Sequence, residues 1–136
     1  MQIINGASVT TTGRMCGLPV GKYDEKNIGK GWYYWAYNNL LVNKHPDYLM
    51  YHMLFPVSAT ETKVVSEWLF NASSLGRSDF RPEEAHEIWD VTNKEDWELS
   101  ELSQQGIQSL GYEPGFYTGS EDLLKAFDRD YLNRMR

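Results

Sequence analysis

The sequence has one cysteine, no long apolar run and no excess of positive charge. A lone cysteine, Cys16, excludes an internal disulfide and a Cys-Cys metal motif, and it fits a reducing cytoplasm. Thirteen Lys and Arg residues against nineteen Asp and Glu residues give a formal charge of -6, which argues against nucleic acid and anionic lipid as partners. Every apolar run is far below the roughly 20 residues that span a bilayer, and the first eight residues lack the pattern of a signal peptide. We therefore expect a soluble, cytoplasmic protein with no membrane partner.

The residues that are present suffice for one compact domain. The chain has 136 residues, of which 41% are apolar and 14% aromatic, enough for one core and too few for two ordinary ones. Residues 1–136 are thus expected to form a single domain. Glycine-rich residues 1–31 predict loops around one or two short strands.

The middle of the chain carries the pattern of β-structure. Aromatic and β-branched residues between turn signals predict adjacent antiparallel strands at residues 32–37, 40–42, 48–55 and 60–70. Because residues 48–55 are apolar at nearly every position, we expect both faces of the sheet to be covered. The aromatic residues 32–37 could line a pocket for a flat ligand, but core packing is the commoner role of such a run.

The sequence pattern changes after residue 71, where residues typical of helix starts appear. Pro82 with Glu83 and Glu84 predicts a helix that starts near Arg81. The capping-box spacing of residues 92–96 predicts a break between two helices, the second ending by Gly111. Residues 120–134 predict a final amphipathic helix. Strands followed by helices indicate an α+β fold with long helices on one face of an antiparallel sheet.

One acidic residue falls on the apolar side of the predicted helix. At 100° per residue, Asp96 shares a stripe with Trp89, Leu99, Ser103, Ile107 and Leu110. A buried carboxylate needs a partner, since burying it alone costs several kcal/mol. Two explanations stay open: a cap that bonds the amide of Asn93, which is the commoner one, or a metal ligand.

Other chemical motifs are missing from the sequence. His45, His52 and His86 show no metal-binding spacing, and an exposed pair with Asp90 is the ordinary role for His86. Ser-His-Asp, Cys-His, Gly-x-Ser-x-Gly and phosphate-binding glycine motifs are lacking, so we assign no catalytic residue.

Residues 93–112, followed by Gly115-Phe116-Tyr117 and Glu121, carry a specific series of motifs. The series is Glu-Asp, a Glu five residues after the Asp, Gln-x-Gly, a Ser, a Tyr and then Gly-x-Tyr. It resembles the C-terminal region of the Rieske-type ring-hydroxylating oxygenase α subunits. Residues 40–41, 54–56 and 67–70 also resemble strands of that family, so the resemblance covers roughly residues 32–134.

The resemblance implies a helix-grip, START-like catalytic domain in which two His and one carboxylate hold a mononuclear Fe(II). Asp96 matches the carboxylate ligand, and residues expected near the metal and substrate are Trp89, Asn93, Leu99, Ser100 and Ser103. A complete enzyme of this family would hydroxylate an aromatic or other apolar substrate with O2 and electrons from NAD(P)H, delivered by a reductase or ferredoxin. The family also implies a homo-oligomer.

The chain departs from that family in two ways. The Rieske 2Fe-2S cluster needs two Cys and two His, and one cysteine cannot bind it. The two iron-binding His of the family precede the sheet, where this chain has no His before Trp32. We therefore expect the C-terminal portion of a catalytic domain without the Rieske domain, which alone binds no stoichiometric iron and is inactive.

Two alternatives belong to other functional classes. The first is a non-catalytic START-like module that binds a small apolar ligand between the sheet and the helices. The second is an interaction domain that uses an exposed sheet edge, which would also favour oligomers.

Overall fold

The computed structural model describes residues 1–22, 25–36 and 38–136. A four-stranded antiparallel sheet, β1 (Trp32–Ala36), β2 (Leu40–Lys44), β3 (Tyr48–Pro56) and β4 (Thr62–Phe70), precedes two helices, α1 (Pro82–Ile107) and α2 (Asp122–Arg134). Short 3-10 turns span Glu25–Asn27 and Ala72–Ser74. The chain divides into two compact units, Met1–Glu101 and Leu102–Arg136. The predicted α+β class is confirmed.

The sheet is a simple meander in the order β1-β2-β3-β4. The turn between β2 and β3 closes with a hydrogen bond from the amide of His45 to the carbonyl of Tyr48 (2.9 Å), and the β3–β4 turn closes between Val57 and Glu61 (2.9 Å). All four predicted strands are confirmed, although the predicted end of the first at Tyr37 lies outside the described residues. Turn residues between apolar runs were a sufficient signal for this part of the fold.

The two faces of the sheet differ in burial. On the inner face of β3, Tyr48 and Met50 are fully buried and His52 nearly so. On the outer face, Leu49 is half-buried while Phe55 and Leu69 are 44% and 48% exposed. The expectation that both faces are covered is therefore wrong, because only the inner face has a layer packed on it within the described chain.

The aromatic residues of β1 do not form core. Tyr33, Tyr34 and Trp35 are 45%, 53% and 41% exposed, and among the described strands β1 pairs with β2 alone, at the edge of the sheet. The interpretation of this run as core is wrong, since an edge strand has neighbours on one side only.

The N-terminal segment, residues 1–22, covers part of the inner face. It contains no regular strand, and its one β-bridge joins Gln2 to Lys30. Cys16 is buried in the core with Tyr48 and Met50. The backbone carbonyl of Cys16 accepts from the amide of Arg81 (2.8 Å), so this segment also holds the start of α1.

Helix α1 is continuous over 26 residues, so the predicted break near residue 93 is wrong. Thr92 does not cap a new helix, because its hydroxyl donates to the carbonyl of Ile88 at 2.9 Å in the preceding turn. The amide of Asn93 lies inside the helix, which removes the capping explanation for Asp96. The predicted start near Arg81 is confirmed, since α1 begins at Pro82.

The first half of α1 packs on the inner face. Ala85 is fully buried, and the rings of His86 and Trp68 lie 5.0 Å apart between centroids. The expected pair of His86 with Asp90 is wrong, because Asp90 accepts instead from Lys94 at 2.6 Å. The prediction that a long helix packs on one sheet face is confirmed for this half.

The second unit, Leu102–Arg136, contains the predicted final helix. The side chains of α2 include no buried one, and its apolar Leu123 and Leu124 are 86% and 56% exposed. Glu121 lies at its N-terminus and accepts from both the amide and the hydroxyl of Thr118. Neither helix is sufficiently long and apolar to traverse a bilayer, within the residues that were described.

Candidate functional site

Asp96 is exposed in the second half of α1. Its backbone carbonyl accepts from the hydroxyl of Ser100 (2.8 Å), while no partner among the described residues contacts its carboxylate. The expectation that the carboxylate points into a core is therefore wrong for this chain. Its assignment as a metal ligand stays a prediction.

The position of Asp96 on the helix explains this result. Trp89 and Asp96 are seven residues apart and so lie within about 20° of each other around the axis. The stripe that contains Ala85, Trp89 and Asn93 faces the sheet, and Asp96 continues it. All residues from 94 to 103 are exposed, so the covering layer ends at Asn93. Periodicity predicted the side of the helix correctly but not the extent of the layer opposite it.

The other predicted site residues divide between the two halves of α1. Trp89 is half-buried and packs against the core of the first unit, and Asn93 is 7% exposed. Leu99 is 64% exposed, and Ser100 and Ser103 are exposed as well. The structure therefore places Leu99 and Ser100 near Asp96 on an exposed part of α1 and Trp89 against the core, whereas Ser103 belongs to the second unit.

A hydrogen-bonded chain joins Trp89 to the sheet. The indole Nε1 of Trp89 donates to the hydroxyl of Tyr48 (2.7 Å), which donates to the carbonyl of Val9 (2.5 Å). Burial raises the pKa of Tyr48, so its hydroxyl keeps its proton. These two hydrogen bonds connect α1, β3 and the N-terminal segment through one fully buried oxygen.

A buried carboxylate lies one residue before Tyr48. Asp47 is fully buried, and its two oxygens accept from the hydroxyl of Ser8 (2.5 Å) and the amide of Cys16 (2.6 Å). Burial first, and then the charge of Asp47, raise the pKa of the Cys16 thiol, so that this cysteine is a poor nucleophile. This cluster could not be predicted from the sequence, because its members are 31 and 39 residues apart and share no motif.

His45 is enclosed by aromatic rings. Its ring centroid lies 4.6 Å from Tyr48, 5.7 Å from Trp89 and 6.0 Å from Tyr33. A β-carbon on Gly31 would come within 3.3 Å of the imidazole, so glycine is needed there for close approach. Neither ring nitrogen of His45 has a hydrogen-bond partner in the described part of the chain, and burial lowers its pKa to about 4.

The donor set for a metal is incomplete. Within residues 1–22, 25–36 and 38–136, no three His, Cys, Asp or Glu side chains are grouped so that they could hold an ion. A cavity of about 10 Å³ beside His45, lined in part by Asn27 and Lys44, has room for one water molecule and not for an organic ligand. The described residues therefore do not form an iron site by themselves.

The comparisons with known proteins decide the family. The family described as "Ring hydroxylating alpha subunit (catalytic domain)" matches residues 2–136, nearly the whole chain. The chain belongs to this family. The resemblance inferred from residues 93–121 is thereby confirmed, together with the expectation of a Rieske-type oxygenase lineage.

Curated relatives with printed names also match most of the chain. A glycine betaine monooxygenase oxygenase subunit from Pseudomonas aeruginosa (strain UCBPP-PA14) is 38% identical over 94 residues, and one from Chromohalobacter salexigens is 32% identical over 94 residues. These matches cover 65% of this chain but only 22% and 21% of those relatives. The chain thus spans about a fifth of the length of the curated relatives that it matches.

Proposed function

We propose that this chain acts as the C-terminal part of the catalytic domain of a Rieske-type oxygenase, called here the complete oxygenase. In it, Asp96 would supply one carboxylate to a mononuclear Fe(II). Two observations support this proposal: the family match over residues 2–136, and the presence of Asp96 on the sheet-facing stripe of α1, where a carboxylate has no structural partner among the described residues. The other ligands would come from outside this chain.

The family implies further components. The complete oxygenase would carry a Rieske 2Fe-2S cluster outside this chain, receive electrons from NAD(P)H through a reductase or ferredoxin, and assemble as a homo-oligomer. Fe(II) with open coordination positions supplies O2 activation in such enzymes. The contribution of this chain is to hold α1 against the sheet and to present the surface that includes Asp96 and Ser100.

The substrate class is also a proposal. A small apolar or aromatic substrate is what the wider family implies, whereas the relatives matched here are named for glycine betaine. We favour monooxygenation of a methylated ammonium compound, because the relatives that are 38% and 32% identical over 94 residues are named as glycine betaine monooxygenases. Oxygen uptake by the complete oxygenase should rise with glycine betaine and not with naphthalene; the reverse result would assign it to aromatic hydroxylation.

The role of Asp96 can be tested with a matched pair of variants. Asp96→Asn removes the charge at nearly constant volume, and Glu95→Gln does the same one position away on a different side of α1. In the complete oxygenase, Asp96→Asn should lose most of its iron on dialysis and at least 100-fold in turnover, while Glu95→Gln keeps both. Equal iron content and turnover in the two variants would remove Asp96 from the site.

A further inference from the structure

The hydroxyl of Tyr48 is the point at which three segments meet. It donates to the carbonyl of Val9 at 2.5 Å and accepts from the indole of Trp89 at 2.7 Å. Tyr48 has no exposed surface, so water cannot replace either bond. Because a phenolic hydroxyl has a single proton to donate, the first bond orients the oxygen lone pair that receives the indole. One oxygen thus ties α1 to β3 and the N-terminal segment.

These bonds restrain the rotation of α1 about its own axis. Apolar packing has no preferred direction, and Ala85, the α1 side chain that has no exposed surface, contributes only a methyl group. A hydrogen bond weakens steeply when its angle departs from linearity, so the indole of Trp89 resists rotation of the helix. Asp96 lies in the same stripe, seven residues further along a continuous helix. A change in rotation at Trp89 is therefore transmitted to Asp96.

We propose that Tyr48 is a positioning residue, whose hydroxyl holds Trp89 and thereby sets the direction in which Asp96 points from α1. The importance of that direction rests on the proposed function, but the direction itself is a property of this chain. Tyr51 provides a matched control on the same strand, since its hydroxyl bonds Glu67 on the outer face and does not touch α1.

Spin labels can measure the direction directly. A label at Asp96→Cys is paired with one at Lys63→Cys on β4, and Cys16 stays in place because it is 1% exposed and should not react. A rotation of α1 by a sixth of a turn would move a side chain by about 5 Å. A second pair, with Glu98→Cys in place of Asp96→Cys, reports the opposite side of the helix, which a rotation shifts in the opposite sense.

In this background, Tyr48→Phe should move the 96–63 distance distribution by about 3 to 5 Å. The 98–63 distance should change in the opposite sense, and Tyr51→Phe should leave both unchanged. A loss of thermal stability in Tyr48→Phe with both distributions unchanged would show a merely structural role and overturn the proposal. If Tyr48→Phe does not fold, Trp89→Phe removes the same bond from the other side and must give the same displacement.

The failure of this inference and that of the proposed function are distinguishable. If the labels move but Asp96→Asn keeps its iron in the complete oxygenase, Tyr48 positions α1 and Asp96 is not a ligand. If Asp96→Asn loses iron and the labels do not move, the assignment of Asp96 as an iron ligand is right and the positioning role of Tyr48 is wrong. With both correct, Tyr48→Phe should lower iron retention in the complete oxygenase, and Tyr51→Phe should not.

Discussion

The two halves of α1 have the same pattern but different surroundings. Residues Ala85, Trp89 and Asn93 lie on a stripe that faces the sheet and the N-terminal segment, and they are buried or half-buried. The same stripe continues through Asp96, where every residue from 94 to 101 is exposed. A repeat of apolar residues therefore identifies the side of a helix that can pack against another segment. It does not show that such a segment is present in the same chain. Under the proposed function, the covered half of α1 supports the open half, which carries Asp96.

The largest effect should come from removing the buried carboxylate of Asp47, which bonds the N-terminal segment beside the sheet. Asp47→Ala leaves the hydroxyl of Ser8 and the amide of Cys16 unpaired in the core, which should lower the free energy of unfolding by about 4 kcal/mol. Urea denaturation followed by circular dichroism measures this change. Asp130→Ala, in an exposed i,i+4 pair with Arg134, is the control and should change it by less than about 0.5 kcal/mol.

A pair of tryptophans tests the comparison itself. Trp89→Ala in the covered half removes the bond to Tyr48 and leaves a cavity, which should cost about 3 kcal/mol of stability. Trp97→Ala in the open half, where the side chain is 42% exposed, should cost less than about 1 kcal/mol. Equal losses in chemical denaturation would mean that the two halves are not different environments in solution.

Acid should lower the free energy of unfolding through His45, whose ring packs against Trp89 in the covered half of α1. Burial lowers the pKa of His45 from its ordinary 6.5 to about 4 in the folded chain. The unfolded chain then binds the proton more readily, so stability is complete above pH 6.5 and falls as the pH drops towards 4, by at most about 3 kcal/mol. Comparing the pH dependence of wild type with that of His45→Phe isolates this effect. An equally steep loss in His45→Phe over the same range would assign it to other groups, such as His52, whose pKa is also lowered by burial.

The smallest effect should come from the open half. In the isolated chain, Asp96→Ala should change the free energy of unfolding by less than about 0.5 kcal/mol, because the carboxylate is exposed and no described residue bonds it. Asn93→Ala, one turn earlier and 7% exposed, should cost about 1 to 2 kcal/mol. Thermal denaturation of both variants checks the difference, and a large loss for Asp96→Ala would reveal a structural role.

The parts of the fold that could be predicted from sequence are those with local causes. Turn residues between β-forming runs located all four strands, and Pro82 located the start of α1. The predicted helix break at Thr92 is wrong, because a threonine hydroxyl can either cap a new helix or bond to the carbonyl of its own preceding turn. Local spacing does not decide between the two.

The contacts that hold the candidate site are not local. Tyr48 lies 39 residues from Val9 and 41 from Trp89 in sequence, so no periodicity could bring them together. Asp96 could be chosen from its stripe and from the family resemblance. The exposure of Asp96 depends on whether another segment packs against that part of α1. The sequence of the helix does not contain this information.

Chemical labelling of the Asp96 carboxylate tests the central claim most directly. Carbodiimide coupling of an amine, read by mass spectrometry, should modify Asp96 rapidly in the isolated chain, where it is exposed. In the iron-loaded complete oxygenase, Asp96 should be at least 10-fold less reactive than Glu95, since it would be a covered ligand. Equal labelling of Asp96 and Glu95 in the complete oxygenase would contradict the account.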